Sequence, residues 1–458
     1  MLAWLVRSGG QGEPITCVLD GEGSRKLSPA QINNAFREYY MQLYGKPSDL
    51  RTESFDEYLQ QIPLPTLSAE DKEALGGPVS VEEVNEAIAQ LAPGKTPGTD
   101  GLPMDFYKKY RSLLAPQLTE MCAEVRRQGE LPQTLREAVV VPLPKTKDRE
   151  ARVTEFRPLS MLNSDFKILS KIMAARLLPH MTKLVHTDQN GFIPARSTSL
   201  NLRRVFSVLH MPRALRPPAG VLLAVDFEKA FDSIRWDYLR KVMLKMGLGE
   251  EWVKWVDLLY ASPLVRDKTG KSISSAYPIY RGTRQGCPLS PMLFALAIEP
   301  LAAQLRREGV SKGIIWGPAE HIVSLYANDI LLYLRDGAGG VGWALGILEE
   351  FGSLSGLRLN RRKTFVFPVL AGCARPESCP ADVNWAPQTF KYLGIQIFHE
   401  LSDLRDGNLG RTLRSLRTSV EFWRSLKLSI MARVALSKMV MLPRLLYYFA
   451  NLLHGSES

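Results

Sequence analysis

At 458 residues and 51.3 kDa the chain is long for one compact domain and suggests two or three packed lobes. Hydrophobic residues at 45% with charged residues at 23% exclude a disordered chain, and 58 Lys+Arg against 47 Asp+Glu, a formal +11, favour a polyanionic partner, nucleic acid first. Five cysteines without a CxxC pair and six scattered histidines without an HExxH arrangement exclude a disulfide framework, a structural zinc site and a zinc hydrolase. No apolar run reaches the roughly 18 residues of a membrane span, and Met1–Arg7 is too short for a signal-peptide core. The expectation is an intracellular chain, nuclear or cytoplasmic, without a membrane partner. Its abrupt start, and its end just after an apolar helical stretch, read as a fragment of something longer.

Charge is unevenly distributed. Residues 46–90 hold ten acids and three bases, residues 131–220 fifteen bases and six acids, and residues 401–458 nine bases and four acids. Two basic blocks around a near-neutral middle read either as the walls of a channel or as solvated helix faces.

In chain order, Ser80 and Glu83 form a capping-box start for a helix through Val84, Ile88 and Leu91. A breaker-rich loop follows from Pro93 to Gly101, an ordinary loop by its composition although Lys95 could meet a phosphate. Ala138 to Lys145 reads as a strand delivering Lys145 and Lys147 at its exit. Arg157 beside Pro158 suits a turn that clamps phosphate, or a plain solvent-exposed arginine. A helix through Phe166, Leu169, Ile172 and Met173 comes next.

Val221–Val225 is a continuous apolar run, the mark of a buried strand, and it terminates on Asp226. A carboxylate there either holds a cation or caps the following helix. Arg281–Pro291 is a Gly/Pro-punctuated loop opening into an apolar helix from Met292 to Leu305, so that backbone and Gln285 can lie against a flat ligand. Ile322–Tyr326 and Ile330–Leu334 flank Ala327-Asn328-Asp329 as a hairpin with polar groups on its turn.

Asp226–Ser233, Arg281–Pro291 and Tyr326–Asp329 resemble, in order and spacing, the three palm motifs of reverse transcriptases, most of all those of non-LTR (LINE-type) retrotransposons. Further segments match in collinear order between about residues 70 and 450: Lys95–Gly101, Phe156–Asn163 with Lys167, and Asp188–Ile193 with Arg196. They continue with Ser355–Asn360 with Lys363, Tyr392–Ile395, and Leu426–Arg433 with Lys438, Met439, Leu442 and Pro443. The Lys95–Gly101 segment argues against a group II intron-type enzyme.

The resemblance implies an α+β right-hand polymerase with fingers, a palm of antiparallel sheet packed on helices, and the start of a helical thumb. The implied divisions are an N-terminal helical extension or linker over 1–69, fingers over 70–220, palm over 221–400 and a truncated thumb over 401–458. It implies an RNA template, a DNA primer, deoxynucleoside triphosphates and Mg2+ or Mn2+. Carried over by motif, the catalytic positions are Asp226, Asn328 and Asp329, and the metal would be held by Asp226, the Phe227 carbonyl and Asp329. Lys145, Arg157 and Lys363 would hold phosphates, Phe231 would stack under the sugar and exclude a 2′-hydroxyl, and Gln285 and Gly286 would shape the nascent pair. Arg196, Tyr392, Leu393, Gly394, Arg433 and Lys438 would contact primer and template.

Two positions depart from the family pattern. Asn328 stands where the family has the second metal-bridging Asp, and an amide oxygen ligates a hard cation without supplying charge. Asp329 is expected to replace it badly, because adjacent strand residues point to opposite faces. Ala432 stands where the family commonly has Gly before Arg433. The expectation is therefore an RNA-directed DNA polymerase impaired by Asn328, with a polymerase-like RNA- or DNA-binding protein without turnover as the alternative.

Overall fold

The computed structural model describes residues 15–46, 53–145, 148, 150–377, 379–426 and 428–452. Lys147 and Lys427 lie outside the described residues. The architecture is mixed α+β, with two five-stranded sheets among the described residues and helices packed on them.

The first sheet runs Val323–Tyr326, Asp329–Leu334, Val221–Val225, Phe365–Pro368, Asn384–Trp385, antiparallel except for the last pair. Side chains alternate between two apolar cores. Val221, Leu223 and Val225 join Leu293, Leu296 and Leu345 in the larger core, whereas Leu222 joins Leu331, Tyr333, Val205 and Phe390 in the second. Both faces of the strand are covered, which is why Val221–Val225 is apolar throughout despite its antiparallel neighbours. The Ser290–Glu308 helix supports the larger core and starts two residues earlier than Met292, because Pro291 fits the first turn, where its missing N–H leaves no bond unmade. Its Glu299 is fully buried and accepts from Arg306 Nη2 at 2.6 Å.

In the second sheet Glu137–Pro144 pairs antiparallel with Phe156–Leu162 and parallel with Leu264–Thr269. Arg157 is therefore within a strand and not at a Pro-fixed turn. Pro158 is tolerated because Phe156–Leu162 is an edge strand and Pro158 faces Pro142 across the ladder, where neither needs a donor.

Ser80 and Glu83 close the expected reciprocal capping box on the Val81–Gln90 helix. The 93–101 loop packs against the start of the Ser164–Leu177 helix, where a Cβ on Gly98 would fall 1.9 Å from Asn163 Oδ1. Only glycine permits that approach. Residues 15–46 are integrated rather than trailing: the Pro29–Leu43 helix buries Phe36 and Tyr40 in the larger core. Asn33 Nδ2 donates to the Asp267 carbonyl at 2.9 Å and to Thr269 Oγ1 at 3.0 Å.

The chain closes with the helices Arg411–Ser425, Ile430–Leu436 and Leu442–Leu452, which expose Arg411, Arg414, Arg417, Arg424, Arg433 and Arg444. No described helix is long and apolar enough to cross a membrane.

Asp267 is fully buried beneath the N-terminal helix. Tyr277 donates to its Oδ1 at 3.2 Å, and Oδ2 has no partner among the described residues. Burial pushes its carboxyl up to about 7, against the Tyr277 hydrogen bond and the Arg37 charge. A carboxyl raised in the folded state favours folding fully below its unfolded pKa of about 4, and that contribution is lost as pH rises through about 7. Asp267→Asn keeps an acceptor for Tyr277 and removes the buried charge. It is expected to raise the melting temperature by several degrees at pH 8 and by much less at pH 5, measured by circular dichroism.

Candidate active site

Asp226 leaves the sheet at the end of Val221–Val225, and Asp329 begins the adjacent strand. The pairing Ile330↔Val225, carried one residue further, sets Asp329 across from Asp226. The two-residue turn is Ala327-Asn328, because Tyr326 pairs with Asp329. The register sets Asp329 across from Asp226 without any slip of the hairpin. Asn328 is half-buried within the turn. Ala327 has φ 55°, a left-handed conformation that costs an alanine roughly 1–2 kcal/mol and marks the turn as held by its surroundings.

The two carboxylates sense each other. Burial raises the Asp226 carboxyl, opposed by the Lys363 charge, an Asn360 hydrogen bond and Lys145. Asn360 Nδ2 donates to Asp226 Oδ2 at 3.1 Å, and the Asn360 N–H donates to the Asp226 carbonyl at 2.8 Å. Desolvation and then the Asp226 charge push Asp329 up to about 6. Among the described residues no group of three His, Cys, Asp or Glu side chains is placed to hold a metal ion. The Asp226 and Asp329 carboxylates, across from each other in the ladder, are nonetheless hard oxygen donors. They suit a hard divalent cation, which completes its shell from water and other oxygen donors.

Basic groups surround this pair. Lys145 follows the Glu137–Pro144 strand, Arg157 projects exposed from its partner strand, and Lys363 closes the short helical turn Arg361–Lys363. Desolvation, then the charges of Lys363 and Arg157, pull the Lys145 ammonium down, against the pull of Asp226. Lys145 therefore neighbours both Lys363 and Arg157, and Lys145 and Lys363 act together on Asp226.

Behind them lies a second acid that sequence reasoning assigned no role. Asp232 is buried, accepts from the Tyr44 hydroxyl at 2.8 Å and from Gln285 Nε2 at 3.1 Å, and has its carboxyl raised by burial. Lys229 donates to the Phe156 carbonyl, and burial with the neighbouring Lys145 charge pulls its ammonium down. The Arg281–Pro291 loop is pinned on both sides. Thr283 N–H donates to the Phe231 carbonyl at 2.6 Å and Ser160 N–H donates to the Gln285 carbonyl at 2.9 Å. A Cβ on Gly286 would lie 2.7 Å from the Ser160 carbonyl oxygen, so Gln285 and Gly286 sit between the Arg157 strand and Asp232. Phe231 stacks on Phe294, with ring centroids 4.3 Å apart, and meets Phe192 edge-on at 6.2 Å. The Phe227 backbone is paired with Leu359, next to Asn360.

The remaining expected residues are placed less uniformly. Tyr392 is buried and receives a hydrogen bond from Asn201 Nδ2 at 3.3 Å. The same amide donates to the Leu325 carbonyl at 2.9 Å, so the Tyr392-Leu393-Gly394 turn flanks the Asn328 hairpin. The Leu393 carbonyl accepts from Tyr447. Arg196 is not brought to the carboxylates: its guanidinium donates to the carbonyls of Val185, His186 and Gln189. Arg433 and Lys438 are exposed on the C-terminal helices, and Ala432 is buried with its N–H on Ser429 Oγ. Asn360 fell inside a segment that sequence reasoning quoted without a role. Tyr44 carried no signal, since only the fold brings it to Asp232.

Asp232→Ala leaves a buried Tyr44 hydroxyl and the Gln285 amide without their acceptor, a loss of about 1–3 kcal/mol for unsatisfied buried polar groups. Asp232→Asn keeps an acceptor for Tyr44 and should lose less. Urea denaturation of both variants at pH 8 measures the difference.

A family profile described as "Reverse transcriptase (RNA-dependent DNA polymerase)" matches residues 143–397. The chain is 29% identical over 399 residues to the "Transposon TX1 uncharacterized 149 kDa protein" of Xenopus laevis, covering 86% of this chain and 30% of that protein. It is 27% identical over 329 residues to a "Retrovirus-related Pol polyprotein from type-1 retrotransposable element R2" of Popillia japonica, covering 69% and 44%. It is 23% identical over 389 residues to an "RNA-directed DNA polymerase from mobile element jockey" of Drosophila funebris, covering 81% and 41%. The chain spans less than half the length of each of these relatives.

Proposed function

Because the chain belongs to the reverse transcriptase (RNA-dependent DNA polymerase) family, with relatives in non-LTR retrotransposons, we propose that it carries RNA-directed DNA polymerase activity. The reaction is transfer of a deoxynucleotide to a primer 3′-hydroxyl on an RNA template. The observation that carries this reading is the register of Asp329 against Asp226 at one end of a doubly buried sheet, ringed by Lys145, Arg157 and Lys363. On this reading residues 70–220 are the fingers, 221–400 the palm and 401–458 the start of the thumb. Exposed arginines of the C-terminal helices, with Arg433 and Lys438, suit a backbone grip on the nucleic acid.

Asp226, Asp329, the Phe227 carbonyl and the Asn328 amide would hold divalent cations. Bound there, such ions supply charge for activating the hydroxyl and stabilising the leaving pyrophosphate. Lys145, Arg157 and Lys363 would bind and orient the triphosphate, since Lys145 and Lys363 act on Asp226 and Arg157 neighbours Lys145. Phe231, held in place by stacking on Phe294, would lie under the sugar and exclude a 2′-hydroxyl. Gln285 is oriented by Asp232, and the close approach at Gly286 lets the loop lie flat under the new pair. The Tyr392-Leu393-Gly394 turn supports the primer end.

Asn328 removes one negative charge from this set. Losing even an outer-shell partner of a metal costs roughly 10–100-fold in affinity or activity, so the amide should cost at least that. The wild-type chain is expected to extend a DNA primer on an RNA template weakly with Mg2+ or Mn2+. Asn328→Asp should raise the rate by at least ~10-fold, and Asp226→Ala should abolish it. Robust wild-type extension unmoved by Asn328→Asp would remove Asn328 as the defect. Primer-template binding by gel shift without extension in any variant would favour a binding protein without turnover. Phe231→Ala in the Asn328→Asp background should raise incorporation of ribonucleotides relative to deoxynucleotides.

A further inference from the structure

Gln189 is fully buried, and its side-chain amide is directed at the catalytic hairpin. Its Oε1 accepts from the Ala327 N–H at 2.9 Å and from the Gly191 N–H at 2.8 Å, and its Nε2 donates to the Ala327 carbonyl at 3.3 Å. One side chain thus holds both backbone polar groups of the residue that precedes Asn328. That residue is also the one with φ 55°, a conformation alanine leaves readily when nothing holds it. Gly191 presses against the same turn, where a Cβ would lie 2.2 Å from the Ala327 nitrogen.

The segment carrying Gln189 is itself fixed. Leu325 N–H donates to the Asp188 carbonyl at 2.8 Å and Asn190 N–H donates to the Leu325 carbonyl at 2.9 Å, which covers the exposed edge of the hairpin. Arg204 holds the Asp188 carboxylate at 2.8 Å, and Arg196 ties the carbonyls of Val185, His186 and Gln189 together. A side chain serving packing alone could satisfy its amide on any neighbouring carbonyl. This one is satisfied by the turn next to Asn328 and by the glycine that abuts that turn.

We infer that Gln189 is a positioning residue for nucleotidyl transfer: it sets the Ala327-Asn328 turn and so aims Asn328 and Asp329 at the side of the site where Asp226 lies. The inference rests on the polymerase reading for its purpose, but the hold on the turn is measurable without turnover. Gln189→Met preserves chain length and deletes every hydrogen bond. Gln189→Glu preserves the acceptor for the Ala327 and Gly191 N–H groups and deletes the donor. Both are made in the wild type and in Asn328→Asp. Three quantities are read on the metal-free or Mn2+-titrated protein: amide hydrogen exchange over residues 323–330, exchange over residues 221–225, and Mn2+ binding by electron paramagnetic resonance.

The expected result is that Gln189→Met speeds exchange at the turn by at least ~10-fold while exchange over 221–225 stays unchanged, with Gln189→Glu intermediate. In the Asn328→Asp background Gln189→Met should also weaken Mn2+ binding by roughly 10-fold and raise the Mg2+ concentration for half-maximal extension in proportion. Unchanged turn exchange, unchanged Mn2+ affinity, or a uniform loss of protection across both segments in both variants would overturn the inference. If Asn328→Asp extends no primer while Gln189→Met still frees the turn and weakens Mn2+ binding, the polymerase reading fails and the positioning role stands.

Discussion

A strand covered on both faces has nowhere to put a charge except at its ends, and the rest of the site depends on that constraint. Val221–Val225 feeds alternate side chains into two apolar cores, and Asp329–Leu334 does the same beside it. Sliding either strand by one residue would drag Asp226 or Asp329 between those cores, where an ionised carboxylate is costly. Register is therefore set less by apolar patterning, which is similar on both faces, than by the two acids that must emerge. Because the strands are antiparallel neighbours, the acid ending one and the acid beginning the other emerge at the same rim.

The rim becomes a site through close backbone approach. Gly282, Gly286 and Gly191 each sit where a Cβ would collide with backbone atoms of another segment: Asp232, Ser160 and Ala327 respectively. Those contacts bring the loop with Gln285 against Asp232 and press the Asp188–Gly191 segment onto the hairpin turn. Buried polar groups complete the assembly, with Asp232 joining Tyr44 from the N-terminal segment to Gln285. The N-terminal segment is thereby part of the site's support, since removing Tyr44 would leave a buried carboxyl short of a donor.

Much of this was legible in sequence because it rests on local pattern. The apolar run ending at Asp226, the hairpin around Asn328 and the capping box at Ser80 each follow from spacing within a few residues, and the structure has all three. Arg157 was misplaced onto a turn because Pro158 signals a break locally, while the ladder tolerates it opposite Pro142. The link from Tyr44 to Asp232 and the hold of Gln189 on Ala327 join residues far apart in sequence, and neither residue type announces such a partner. Arg196 shows the converse: an arginine in a basic block whose donors are used by carbonyls of its own segment.

Asn328 acquires a definite meaning once the neighbouring charges are counted. Lys145 and Lys363 oppose the Asp226 charge while Glu228 adds to it, and Lys145 and Lys229 act on Asp232, which is turned inward to Tyr44 and Gln285. An amide at 328 offers a ligand oxygen without the charge an aspartate would add, so it holds a cation less firmly and repels phosphate less. Binding of a polyanion and retention of catalytic cations are thus separable here, because the first draws on lysines and arginines that Asn328 does not touch. On the polymerase reading, Asn328 would weaken turnover by way of the metal and leave the lysines and arginines that meet phosphate in place.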